Sequence, residues 1–272
     1  VEEKIISTAE WKEIGTSHVI NEERIKKTNP VHPSNILNQI PSVWISRGSG
    51  QEHLTSIRSP VLTGPGACGS FLILEDGIPT RPSGFCNVNG LFETNFENAE
   101  KLEVIKGPSS ARYGSNAMHG LINIINFANS TEKRELLANY GPDDYFSFKL
   151  KVKSEIIDIS TSLSKYNGFR DNSGHDQQKF VINRKFDLKR WNANANLSST
   201  NLNQETAGYI YGLDSYKNLS EIKKNANPEA FRDARSNRAS LRLFRTIEEG
   251  YQSLSPYIRK TSMEFLQHYL PG

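Results

Sequence analysis

The chain changes its grammar near residue 130. Before that point apolar residues come in short unbroken runs, such as Phe71-Leu72-Ile73-Leu74, each closed by turn chemistry at Asp76-Gly77 or Gly107-Pro108. Runs of this kind read as buried strands with tight connections, so the first part is expected to be a compact β-rich unit. Within it, Ser34 is placed to cap a short helix carrying Ile36, Leu37 and Ile40, which Pro41 ends, and residues 43–46 read as a strand. Two more strands are expected over 98–106 and 120–127, separated by the GPSSARYGS turn. Ile36, Leu37, Ile73, Val104 and Ile122 are the expected core. Residues 1–16 carry a short β-branched run with no partner segment nearby and read as an extended arm.

Beyond residue 130 apolar and polar residues alternate strictly. Phe146, Phe148, Leu150 and Val152 interleave with Ser147, Lys149, Lys151 and Lys153, giving a strand with one apolar and one cationic face. The same two-residue period recurs over 157–163, 191–198 and 239–243. Seven strands are expected, near 134–140, 145–153, 156–165, 178–186, 191–200, 236–246 and 251–260. Alternation alone fits a transmembrane barrel with a wet interior or a soluble sandwich with the apolar face inward. Connection lengths separate the two. Links at 154–155, 187–190 and 247–250 are short, while 167–177 and 201–235 are long and polar, the pattern of an outer-membrane barrel. Tyr140, Tyr145, Tyr166, Trp191 and Tyr251 fall near strand ends, where interfacial aromatic girdles lie.

Composition narrows the field further. The 272 residues are 36% hydrophobic and 23% charged, enough for a sizeable core and too apolar for a disordered chain. The longest aliphatic runs are about four residues, against the roughly 18 a spanning helix needs, so a membrane would be crossed only by a barrel. A net charge of +3, from 33 basic and 30 acidic residues spread along the chain, argues against nucleic acid. The opening VEEKII lacks the regions of a signal peptide, so either none exists or it has been removed; for an exported protein this is the expected mature start.

Candidate catalytic motifs fail their context. Gly64-Pro65-Gly66-Ala67-Cys68-Gly69 matches the dinucleotide fingerprint, but a strand follows it where a helix is required, and the acidic pair Glu75-Asp76 comes too soon. The six histidines show no metal-binding spacing, and no nucleophile elbow occurs. Glu93, Glu97, Glu100 and Glu103 are read as solvated or paired with Lys and Arg. No enzyme, cofactor or metal site is expected.

The wording FLILEDGIPTRP, followed by ENAEKLEVIKGPSSARYGSNAMHGLINIINF, resembles the plug domain of TonB-dependent outer-membrane receptors, and the similarity runs from about Glu2 to Phe127. The resemblance implies an α+β plug domain followed by antiparallel transmembrane β-barrel strands, with an N-terminal arm at 1–16, the plug at 17–130 and the first part of a barrel at 131–272. Such barrels have about 22 strands, so seven make an incomplete barrel with free edges. It places the TonB box at Glu3, Lys4, Ile5, Ile6, Ser7, Thr8 and Ala9, a segment suited to adding a strand to another protein's sheet. Ligand is expected to reach the plug through the loops Ser59 to Gly69 and Thr80 to Leu91, with Arg81, Phe85 and Asn87 offering charge, an apolar face and an amide. In a cytosolic protein Cys68 and Cys86 would read as free thiols, whereas the oxidising periplasm or cell surface makes a local disulfide the expectation. The implied activity is energy-coupled import of a scarce solute, such as a ferric siderophore, a corrinoid or an oligosaccharide. The implied partners are TonB, outer-membrane lipid and a small ligand such as a metal chelate. The alternative is a soluble or surface β-protein binding carbohydrate or a partner chain, with 146–260 as a sandwich.

Overall fold

The computed structural model describes residues 16–60, 71–82, 90–126 and 132–266. The first part is built on a five-stranded sheet of β1 (Thr16–Asn21), β4 (Phe71–Glu75), β5 (Ile78–Pro79), β6 (Lys101–Lys106) and β7 (Gly120–Ile125), in the order β1-β6-β7-β4-β5. β4 and β7 run parallel and the other pairs are antiparallel. Every residue of β4 and β7 is buried, which explains why these strands read as unbroken apolar runs. Ile36, Leu37, Ile73, Val104 and Ile122 all sit in one core cluster, as expected. A second cluster, around Leu72, Leu74, Ile105 and Leu121, packs on the other side. Asp76 and Gly77 both have positive φ, the conformation an Asp-Gly hairpin turn between β4 and β5 demands. Gly120, at φ +152, starts β7 where a Cβ would lie 2.4 Å from the Ile105 carbonyl oxygen.

Five features depart from the sequence reading. β1 pairs with β6 where no element was expected; its TSHVIN sequence buries only Ile20, so it has little apolar signal. Helix α1 (Glu22–Thr28) follows at once, capped by Asn21. The next helix, α2 (Pro33–Leu37), is capped by His32 and not by Ser34: the His32 ring accepts the Ser34 N–H, and Pro33 takes the first helical position, where a missing donor costs nothing. It ends before Ile40. The strand at 43–46 extends to β2 (Val43–Arg47) and pairs with an unforeseen β3 (His53–Ile57). A further short helix, α3 (Ser110–Tyr113), occupies the turn between β6 and β7.

The second part is one antiparallel sheet: β8 (Lys133–Gly141), β9 (Tyr145–Lys153), β10 (Ile157–Tyr166), β11 (His175–Leu188), β12 (Trp191–Glu205), β13 (Phe231–Ile247), β14 (Gly250–Leu254) and β15 (Tyr257–Leu266). β14 and β15 pair with successive halves of the same edge of β13, so they are one strand interrupted at Ser255-Pro256. That makes seven strand positions, as the spacing predicts. β8 and the β14–β15 strand each have a single neighbour among the described residues. The sandwich reading of 146–260 is thereby overturned, because these strands form one open sheet.

Short links at 154–156, 189–190 and 248–249 mark one end of the sheet, and the other carries the long links 167–174 and 206–230 together with a three-residue turn at 142–144. β11, β12 and β13 are longer than expected, at 14, 15 and 17 residues, and shorten the second long link. Their extra residues put polar side chains on the outward face, as in Asn201, Asn203, Asp233 and Arg235, and so read as loop.

The polarity of this sheet is inverted relative to a soluble protein. Lys149, Lys151 and Lys153 are 8, 6 and 4% exposed, packed against the first part, whereas Phe146 on the opposite face is 45% exposed. A rung of directly paired outward residues joins Val152, Ile159, Ile182, Leu197, Ala239 and Ile258. On β9 the apolar outward residues lie on one side of this rung, from Val152 to Phe146; on β13 they lie on the other, from Ala239 to Leu243. The strands are therefore tilted against the apolar band, as a sheared barrel wall requires. Of the five expected girdle aromatics, Tyr140 and Trp191 lie on the outward face. Tyr145 and Tyr166 instead turn inward and pack edge-on at 6.3 Å, with His175 beyond them. Being near a strand end fixes height, not side, and strand parity sends these two inward, as it does Tyr251 opposite Thr246.

Candidate functional site

The contact between plug-like unit and sheet is a seam of charge. The inward lysines of β9 and β11 meet carboxylates on the segment from Glu93 to Glu100, which two single-turn 3₁₀ helices present to the sheet. Lys179 reaches Glu97 at 2.5 Å and the Thr94 carbonyl at 2.8 Å, with its ammonium over the Phe96 ring. Lys153 reaches Glu100 at 2.7 Å, and Lys151 pairs with both Glu100 and Glu22. Glu103, away from the seam, pairs with Lys101. The four glutamates read as solvated or paired are thus all paired. At the start of α1, burial works against ionisation of Glu22, yet hydrogen bonds and charge from Lys133 and Lys151 outweigh it and draw the carboxyl down to about 2.

Arginines of β13 and β15 clasp the β4–β5 hairpin. Arg238 pairs with Glu75 and donates to the Glu93 carbonyl at 3.0 Å, Arg242 donates to the Asp76 carbonyl, and Arg259 donates to the Pro79 carbonyl at 2.7 Å. Higher on the sheet, the loop before β3 is bound by side chains: Gln204 accepts the Gln51 N–H at 2.7 Å, and Arg232 meets Glu52 at 2.7 Å. Beneath this loop His32 and His53 stack edge-on at 5.8 Å. Burial, reinforced by neighbouring cationic groups, lowers His32 to about 3; burial likewise lowers His53 to about 4, against a backbone hydrogen bond to Gln51 that favours its charge. The seam is thus largely polar and ion-paired, with one apolar patch where Phe92 packs on Leu202 and Ala234, and each polar contact is one side chain that can be exchanged for water.

Arg81, expected at the ligand surface, is 3% exposed and donates through Nε to Glu93 Oε1 at 3.0 Å, with a second bond from Nη2. Its partner Glu93 also offers its carbonyl to Thr200 and Arg238. Phe85, Asn87, Cys68, Cys86, the Gly64–Gly69 segment and the arm with Glu3 to Ala9 lie outside the described residues. The topology does return the chain after Thr80 to the Phe71 end of β4, since Thr80 N donates to the Ile73 carbonyl. Sequence reasoning missed the seam residues because their partners are scores of positions away.

The unit built on the five-stranded sheet is thus held by ion pairs against the cationic inner face of an apolar-backed, tilted sheet. Residues 12–121 match the model of the TonB-dependent Receptor Plug Domain. About two fifths of the chain thus matches the plug of TonB-dependent receptors. Its whole fold is similar to that of solved receptors. The ferric-catecholate import receptor Fiu from E. coli K12, in its open form, gives a TM-score of 0.68 at 18% identity over 96% of this chain and 40% of that one. The ferric yersiniabactin uptake receptor FyuA from Yersinia pestis gives 0.72 at 14% identity, over 97% and 44%. The siderophore receptor PiuA from Acinetobacter baumannii gives 0.69 at 17% identity, over 92% and 37%. This chain therefore spans about two fifths of the length of these receptors, as a plug with an incomplete barrel wall.

Proposed function

We propose that this chain belongs to an outer-membrane receptor that binds a ferric siderophore and imports it by TonB-coupled transport, without covalent chemistry of its own. The observation that carries this reading is the inverted sheet: apolar outside, cationic inside, wrapped on a plug through exchangeable polar contacts. Such a wall suits lipid on one face and a removable plug on the other. The solved receptors similar to it are described as importing ferric catecholate and ferric yersiniabactin, which favours an iron chelate over a corrinoid or a glycan.

In this reading residues 1–16 are the arm, 17–130 the plug and 131–272 barrel wall. Glu3 to Ala9 pair with TonB by backbone hydrogen bonds, and Phe85 and Asn87 meet the ligand from the loop after Arg81. A ligand role for Arg81 itself requires it to leave Glu93. The test is uptake by the full-length receptor with Ile6→Pro, which removes a donor from the box. Uptake is expected to fail while chelate affinity is unchanged; normal uptake sinks the coupling assignment. Affinity across ferric chelates, corrinoids and glycans identifies the solute class.

A further inference from the structure

Between α1, β8 and β9, plug and sheet leave a cavity of about 450 Å³, large enough for a small organic molecule. Its apolar wall is Ile25 and Leu137, the latter on the inward face of β8. Three carboxylates line it, and each already has a lysine. Glu22 is held by Lys133 at 2.5 Å and Lys151 at 2.8 Å, Glu97 by Lys179 at 2.5 Å, and Glu135 by Lys133 at 3.2 Å and by Lys26.

Lys149 is the exception. It is 8% exposed, and its ammonium donates only to neutral oxygens, Asn29 Oδ1 at 2.9 Å and the Pro30 carbonyl at 3.3 Å. Among the described residues it forms no ion pair, although Lys151, Lys153 and Lys179, on the same inward face, all do. A buried ammonium with neutral partners keeps much of its desolvation cost, and with three N–H groups it has one donor left over. An anion in the cavity would supply the missing charge through a charge-assisted hydrogen bond.

We infer that this cavity binds a small organic anion, a carboxylate with a short apolar tail: the carboxylate pairs with Lys149 and the tail lies on Ile25 and Leu137. The site lies between α1 and the first two strands of the sheet, and it rests on the fold and not on the import reading.

Equilibrium dialysis of radiolabelled butyrate against the detergent-solubilised full-length receptor at low ionic strength tests it. Saturable binding of one butyrate is expected. Lys149→Met should weaken it about tenfold or more, the loss of one hydrogen bond to a charged group, and Lys149→Arg should largely retain it. Binding by folded Lys149→Met equal to that of the unaltered receptor, or uptake no greater than by micelles alone, overturns the site. Should Lys149→Met fail to fold, Leu137→Phe decides, because it fills the apolar wall without touching the ammonium; unchanged affinity there overturns the site as well. Ferric chelate affinity, measured in parallel, stays constant if the two sites are separate.

Discussion

Arg81 offers the sharpest test of how plug and ligand chemistry divide. The sequence presents it as a ligand group, whereas the structure buries it against Glu93, which is 1% exposed. Replacing Arg81 by Met keeps the volume and strands the Glu93 carboxylate, whose Oε2 already lacks a hydrogen-bond partner. Removing one member of a buried pair costs about 3–5 kcal/mol, while replacing both by apolar residues is often neutral. Glu93 also ties the plug to β12 and β13 through its carbonyl, at 2.9 Å from Thr200 Oγ1 and 3.0 Å from Arg238 Nη2, so the strain is transmitted to the seam. Hydrogen exchange of the peptides 71–82 and 90–98 in the solubilised full-length receptor reads the effect. A loss of about 3 kcal/mol corresponds to exchange on the order of 100-fold faster in Arg81→Met, with most protection regained in Arg81→Met/Glu93→Leu. Chelate affinity should change little in the double variant. Unaltered protection in Arg81→Met together with lost chelate affinity would refute the strut role and return the guanidinium to the ligand site.

Three further outcomes follow from the geometry. Gly120→Ala should disorder the plug, since the new methyl meets the Ile105 carbonyl at 2.4 Å and the φ of +152 disfavours any side chain; trypsin resistance of the plug in the receptor checks this, and a fully resistant variant contradicts it. His32 and His53 are held neutral, with pKa lowered to about 3 and about 4, so the unfolded chain takes up protons first as pH falls below about 6.5. Plug stability should therefore be level above that pH and decline below it, by about 2–3 kcal/mol per histidine at about pH 4.5, and His32→Asn, which keeps a capping side chain, should flatten the exchange-versus-pH curve. Leu197→Arg, at an outward position 54% exposed on the apolar rung, should cost about 2–4 kcal/mol of barrel stability in lipid if that rung lies near the bilayer midplane; an unchanged unfolding midpoint in vesicles would contradict a lipid-facing rung.

What was legible in the sequence depended on how far apart the interacting residues lie. β4, β7 and the Asp76-Gly77 turn announce themselves, because an unbroken apolar run and a positive-φ turn are decided by their own residues. The alternation of β9 showed that Phe146 and Lys149 face opposite ways, yet period alone could not tell which face meets the plug. Link lengths resolved it, since short turns at one end and long links at the other belong to a wall crossed repeatedly by the chain. β1 was invisible because TSHVIN owes its strand to pairing with β6, about 85 positions later, and not to any preference of its own.

The seam was hidden for the same reason carried further. Arg232 meets Glu52 across 180 positions and Lys179 meets Glu97 across 82, so no local pattern marks these residues as partners. The cationic stripe itself was visible, and its meaning follows once the plug is in place: lysines that would be costly in a dry core are acceptable where carboxylates on a separate body neutralise them. An apolar seam of this extent would weld plug to wall by burial alone. Ion pairs and single hydrogen bonds hold comparably while the contact is intact, but their groups regain hydration when separated, so the net cost of parting the two bodies stays small relative to the number of contacts. Among the described residues Lys149 alone of the inward lysines of β9 and β11 that line the seam has no paired carboxylate to leave behind, and this is the gap that the inferred anion would fill.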